Sequence, residues 1–250
     1  VLMVRRSVPR RCRPDLRGRV GRVRRSVPVA GRRRHHDAMS LDLPTFWSFN
    51  RRVDAHRIAA RTLTWSGPHA WPGYGSADSG VPAGGGVYLT TFAYEDGFIL
   101  RSAGVSKAIR RRLRQHEYEF LMGRYTVLDP EAARQGVRRE LWHGWSYARS
   151  HPEQRDRHLL QIQQWARAEM AACRLFVGQR LHGDEHDVDA RLRERIEFAI
   201  IHAAYASRQP WGDLVDGGMH LSGRFTDEMP IQLLNQCPVR LYGLPPEMEI

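Results

Sequence analysis

Apolar positions along the chain fall into short β-prone runs separated by turn residues, and into a few stretches with helical spacing. Residues 86–91 (GVYLTT) and 97–101 (GFILR) are apolar and β-prone, with YEDG between them as a hairpin turn. From Ser106 to residue 121 the period changes. At about 100° per residue, Ile109, Leu113 and Phe120 share one stripe. Lys107, Arg110, Arg111 and Arg114 point away from that stripe, Arg112 lies beside it and His116 lies on it. Ser106 is the expected N-cap of this helix. YTVLD (125–129) reads as a strand, Pro130 opens a helical stretch that ends near LWHGW, and Pro152 starts a helix to about Ala172. RLFVG (174–178) reads as a strand and HGDEHD as a polar loop. A helix over about 187–207 buries a stripe of Val188, Leu192, Ile196, Ile200 and Ala203.

Flanking this block, residues 39–85 form a lead segment with two short apolar pieces, LPTFWSFN and HRIAARTLTW, and a Gly/Pro-rich connector that excludes a helix. Residues 209–250 read as an irregular C-terminal extension with one or two short strands, and 86–208 as the main domain. No run of 18 apolar residues occurs, so no membrane span is expected. Cys12, Cys173 and Cys237 are too scattered for a disulfide framework or a zinc motif, which points to a cytoplasmic protein.

The net charge of +12 changes this picture less than it suggests. Residues 1–38 hold 13 arginines and two aspartates, whereas the other 212 residues balance 26 basic against 25 acidic groups. Charge alone therefore argues for nucleic-acid binding only through the tail. That tail repeats RRSVP at 5–9 and 24–28, has no periodic apolar face and is expected to be disordered. It is either a basic arm or upstream reading frame translated in error, with the chain starting at Met39. A single lysine among 39 basic residues fits the GC-rich coding sequence that would yield such a frame.

Candidate chemistry sits on three elements. A helix start followed by basic side chains suits a phosphate, and a guanidinium at Arg112 can fork onto two phosphate oxygens at any working pH. The plainer alternative is a solvated surface helix with His116 as a core histidine. Glu197 lies in a nearly all-apolar turn, RIEFAII, and must pair with Arg193, face a cleft or hold a metal. One carboxylate with waters and substrate oxygens makes a normal Mg²⁺ site. Tyr88 closes GVY and can orient a water, or it is simply a half-buried strand tyrosine. His182 and His186 are spaced for a metal but lie in a loop-like run, and Trp142, Trp145 and Tyr147 read as core rather than as a base-stacking platform.

Together these residues resemble the GIY-YIG endonuclease superfamily. Gly86-Val87-Tyr88 matches its first tripeptide and Ser102-Ala103-Gly104 falls on the second, with Ser102 in place of a tyrosine. Ser106, Arg112 and His116 fall on the hydroxyl, arginine and histidine that follow, and Glu197 on the metal-binding glutamate of a later helix. WPGYG, GVP and GMHLSGRF also look like stretches of bacterial members of that superfamily. The resemblance implies an α+β fold with a small three-stranded antiparallel sheet flanked by helices. It implies Mg²⁺- or Mn²⁺-dependent hydrolysis of duplex or branched DNA, with no small-molecule cofactor and no membrane partner. Tyr88, Arg112, His116 and Glu197 would be catalytic, Glu197 would hold the metal, and Ser106, Lys107, Arg110, Arg111 and Arg114 would contact nucleic acid. The Ser102 departure leaves a second outcome open: a weakened scaffold kept as a nucleic-acid-binding or protein-interaction module, with Tyr94 or Tyr118 as candidates to replace the missing phenol.

Overall fold

GVYLTTFAY is rich in β-branched and aromatic residues and has no break, and it forms the strand at the heart of the protein. The computed structural model describes residues 59–75, 79–182, 190–207, 209–216 and 223–250. The Arg-rich tail, the start at Met39, LPTFWSFN, Val188 and His186 lie outside the described residues. In chain order the elements are β1 (Ala59–Ala70), β2 (Gly86–Tyr94), β3 (Gly97–Ser106), α1 (Ile109–Leu121), β4 (Val127–Leu128), α2 (Pro130–Ala133), β5 (Glu140–Trp142) and α3 (Ser146–Ser150). They continue with α4 (Pro152–Ala172), β6 (Arg174–His182), α5 (Ala190–Ala206), α6 (Pro210–Leu214), β7 (Ile231–Gln236), β8 (Leu241–Tyr242) and β9 (Glu247–Glu249).

The expected small three-stranded sheet is not what forms. Seven strands make one mixed, curled sheet in the order β8-β3-β2-β6-β1-β7-β9, beside a separate β4-β5 pair. β2 lies antiparallel between β3 and β6, as a hairpin and a returning strand allow. The sheet then grows at both ends from segments outside the central block. β1 pairs antiparallel with β6 and parallel with β7, β9 pairs antiparallel with β7, and β8 adds two residues beside Phe98 and Ile99 of β3. The stretch expected to be irregular, 209–250, thus supplies three strands and a short helix. Their sequences are too short and too mixed for a clear period of two, and they are strands because an edge of the sheet was there to pair with.

Alternate residues of β2 enter different cores. Tyr88 and Phe92 pack with Ile109 and Leu113 of α1 and with Ile162 and Met170 of α4. Val87 and Leu89 pack with Ile196 and Ile200 of α5 on the other side. Because strand side chains alternate between faces, α1 and α4 cover one face of the sheet and α5 the other. With both faces covered, β2 reads as a continuous apolar run rather than an alternating one.

The β2–β3 ladder carries a bulge. Thr90 faces Ser102 and Thr91 faces Leu100, so Arg101 is the extra residue. It is 3% exposed and donates from Nε to Glu169 of α4 (3.2 Å), which is 1% exposed. Arg101 also bonds Asp216 through Nη1 at 2.5 Å and the carbonyl of Thr126 through Nη2, while Glu169 accepts from the Leu128 N–H at 2.7 Å. This network joins the sheet to α4, β4 and the segment just after α6.

Candidate active site

The site forms where β2, the end of β3 and α1 meet. Tyr88 is opposite Gly104 in the ladder, and its phenol lies across that glycine. A β-carbon at Gly104 would collide with Tyr88 Oη and Cζ. The absence of a side chain there is what lets the phenol lean toward the edge of β3. Beyond Ile99 that edge has no strand partner among the described residues. α1 begins at Ile109, later than expected, with Ala108 at its N-cap and no capping side chain. Ser106 is not the cap. It ends β3, and its Oγ accepts the Ala108 N–H at 3.0 Å, which shapes the turn into the helix.

α1 buries Ile109 and Leu113 and holds Arg112 and His116 half-buried against the sheet. His116 Nε2 is 2.7 Å from Tyr88 Oη, and its Nδ1 is 3.2 Å from Oη of Tyr125. Burial, and then the nearby Arg112 guanidinium, lower the pKa of His116 to about 4, so the ring is neutral at physiological pH. A neutral imidazole has one N–H. One phenol therefore donates to the ring and the other accepts from it. Burial raises the Tyr88 phenol to about 12, against the pull of Arg112. The Tyr125 phenol is raised for the same reason.

Glu197 arrives from the other face of the sheet. α5 runs beside β3, and the carboxyl, 9% exposed, lies close enough for its field to reach Tyr88 and that of Arg112 to reach it. Among the described residues it has no hydrogen-bond or ion-pair partner, so the expected alternative of pairing with Arg193 is not realised. Burial lifts its pKa to about 7, opposed by Arg112 and reinforced by Glu194. Tyr88, His116 and Arg112 thus lie together, and Glu197 lies within reach of the charges of that group. No trio of His, Cys, Asp or Glu that could cage a metal exists among the described residues. A single carboxylate without a protein donor fits a hard cation that keeps most of its water, such as Mg²⁺ or Mn²⁺.

The other expectations divide. Arg111 and Arg114 are exposed on the outer side of α1 and Lys107 in the turn before it, whereas Arg110 turns back to donate to the Val81 carbonyl at 2.6 Å. Ser102 bonds Thr90 across the strands at 2.7 Å and takes no part in the cluster. Neither proposed replacement for its missing ring belongs there. Tyr94 packs edge-on against Tyr242, and Tyr118 is exposed beside Arg124. The other phenol beside His116 is that of Tyr125, which no spacing along the helix marks as a site residue. The turn that returns it is signalled by Gly123, with φ of +65° just past the helix. The aromatic trio expected to be core also splits. Trp142 is 8% exposed and bonds the Gly123 carbonyl, but Trp145 is 62% exposed and Tyr147 is exposed too.

No protein-family model, curated protein or solved structure matches the chain.

Proposed function

We propose that the protein hydrolyses phosphodiester bonds in DNA at the Tyr88–Arg112–His116–Glu197 cluster, in the manner of a GIY-YIG endonuclease. The observation that carries this reading is the grouping itself. A phenol bonded to a neutral imidazole sits beside a guanidinium that has no carboxylate partner among the described residues, and a buried carboxyl, also without a partner among them, lies within the electrostatic reach of both the phenol and the guanidinium. Arg112 holds the phosphate, its fixed charge placed where negative charge grows in the transition state. Tyr88 orients the attacking water. As the water oxygen bonds to phosphorus, the water proton passes to the phenol oxygen while the phenol proton passes to His116 Nε2. This requires Nδ1–H to donate to Tyr125, whose hydroxyl then fixes the tautomer. The phosphorus–oxygen bond to the leaving sugar breaks, and the departing oxygen takes a proton from solvent. An anionic phosphate beside Arg112 offsets the field that depresses His116, so the imidazole becomes a better base when substrate is bound. Glu197 would hold a divalent cation, which when bound supplies charge stabilisation for the phosphate and the leaving oxygen.

The test is Mg²⁺-dependent cleavage of plasmid and branched DNA by the full chain and by Arg112→Ala and Glu197→Ala. Cleavage lost by about 100-fold or more in both variants supports the reading. Cleavage that survives both substitutions places the chemistry elsewhere. Salt-sensitive DNA binding without cleavage by the parent favours the binding-module alternative, for which Ser102, bonded to Thr90 and outside the cluster, is the structural argument.

A further inference from the structure

Trp145 is an expensive residue to expose. Its backbone sits at φ 51° and ψ −112°, a region a bulky side chain rarely occupies. The conformation is enforced from both sides. The Trp145 N–H donates to the Arg124 carbonyl at 2.6 Å, and the neighbouring Gly144 N–H donates to Thr126 Oγ1 at 3.1 Å. Any side chain at Gly144 would strike the backbone of Tyr125 and Thr126. Yet the indole so positioned is 62% exposed, and among the described residues the aromatic ring it meets is Tyr125, with ring centroids 5.3 Å apart and planes tilted by 30°. A hydrophobic side chain held outward at a cost in backbone strain is not explained by the core.

We propose that Trp145, backed by Tyr125, is a stacking ledge for an unpaired nucleobase adjacent to the phosphate held at Arg112, which makes the substrate DNA with an unpaired nucleotide at the cleavage position. This rests on the phosphodiesterase reading above and adds the substrate class to it. Tyr125 links the two places physically. Its hydroxyl bonds His116, its ring lies 5.4 Å from the imidazole and 5.3 Å from the indole, and its pKa responds to the charge on Arg112. Two ring spacings are within the reach of a few nucleotides at about 3.4 Å each along a strand. Every base has a π-face, so an open indole takes any base. A base paired inside a duplex has no free face to offer it. The local charge suits a polyanion: Arg149 is exposed beside Tyr147, and the acidic groups nearby, Glu119 and Glu140, are paired with Arg124 and with Arg138 and His143.

The experiment uses the full chain in EDTA, so that binding is read without cleavage. The probes are a fully paired duplex and the same duplex with one unpaired 2-aminopurine nucleotide. The parent is expected to prefer the second duplex by roughly tenfold to a hundredfold and to quench its fluorescence. Trp145→Gly loses both effects, while Trp145→Phe keeps most of them. Glycine adopts φ > 0 freely, so Trp145→Gly should melt no earlier than the parent, which separates lost stacking from lost folding. Equal binding of the two duplexes by the parent overturns the proposal. So does a preference that survives Trp145→Gly, or a dimer in solution that Trp145→Gly dissolves. The two readings fail separately. Arg112-dependent cleavage that is indifferent to Trp145 and to pairing removes the ledge and keeps the hydrolysis. A Trp145-dependent preference in a protein that never cleaves with Mg²⁺ keeps the ledge and removes the hydrolysis.

Discussion

Replacing Gly104 by alanine adds one carbon at the point where the Tyr88 phenol crosses β3. That carbon would fall inside the van der Waals radii of Cζ and Oη and 3.0 Å from Cε1. Restoring an ordinary contact of about 3.5 Å moves the end of the ring by roughly 1 Å. Tyr88 is 3% exposed and packed by α1, so the ring has no solvent side to swing into. A hydrogen bond of 2.7 Å to His116, stretched by that amount, is no longer one. Overpacking costs about 1–3 kcal/mol, and loss of the buried hydrogen bond adds about 1 kcal/mol. Gly104→Ala is therefore expected to lower stability by about 2–4 kcal/mol in urea denaturation. Misplacing the phenol should lower single-turnover cleavage by about 100-fold while leaving DNA affinity, set by Arg112 and the exposed basic residues, nearly unchanged. A variant that folds and cleaves like the parent would refute the account of Gly104, and with it the claim that the phenol's position matters. Tyr88→Phe in the Gly104→Ala background tests the same logic: once the hydroxyl is gone, the glycine should matter less to activity.

Glu197 gives a prediction that needs no substrate. Its carboxyl is held near 7 against an ordinary 4.5, so ionising it costs folding free energy as pH rises through that window, and the full cost applies above about pH 7. In divalent-free buffer, Glu197→Gln should stabilise the protein by about 2–3 kcal/mol at pH 8 and by under about 1 kcal/mol at pH 5; a gain that ignores pH would show that the carboxyl is not desolvated. Because a cation competes with that proton, the acid limb of the cleavage profile should move to lower pH as Mg²⁺ is raised. His116 should not shape that limb in kcat/KM, which reports the free protein, since there its ring stays neutral down to about pH 4. Arg101→Met strands Glu169 and exposes Asp216 to one counter-ion fewer, and should cost about 3 kcal/mol by chemical denaturation; a loss below about 1 kcal/mol would mean the network is not structural.

Much of the candidate site was legible as sequence, because local rules govern it. The change from a period of two to one of 3.6 at 106–109 places Arg112 and His116 one turn apart on the inner side of α1, and the apolar residues around Glu197 mark a carboxylate with no easy home. Tyr88 lies within a short β-prone run, 86–91, that reads as a strand. What local rules do not carry is pairing between distant segments. β1 and β7–β9 become a continuous sheet with β2, β3 and β6 only through ladders spanning more than a hundred residues, as between Thr62 and Leu234, and their short mixed sequences hold no period to announce it. The same limit hid Tyr125. A phenol nine residues beyond His116 joins it because Gly123 turns the chain back, not because of any spacing along a helix. Trp145 shows the reverse case: its composition says core, and only the backbone clamp between Arg124 and Thr126 turns it outward. The chain alone thus determined which side chains are candidates for chemistry and which faces they share within one element. The tertiary structure decided which elements meet, because that depends on edges, bulges and close backbone approaches that no single segment contains.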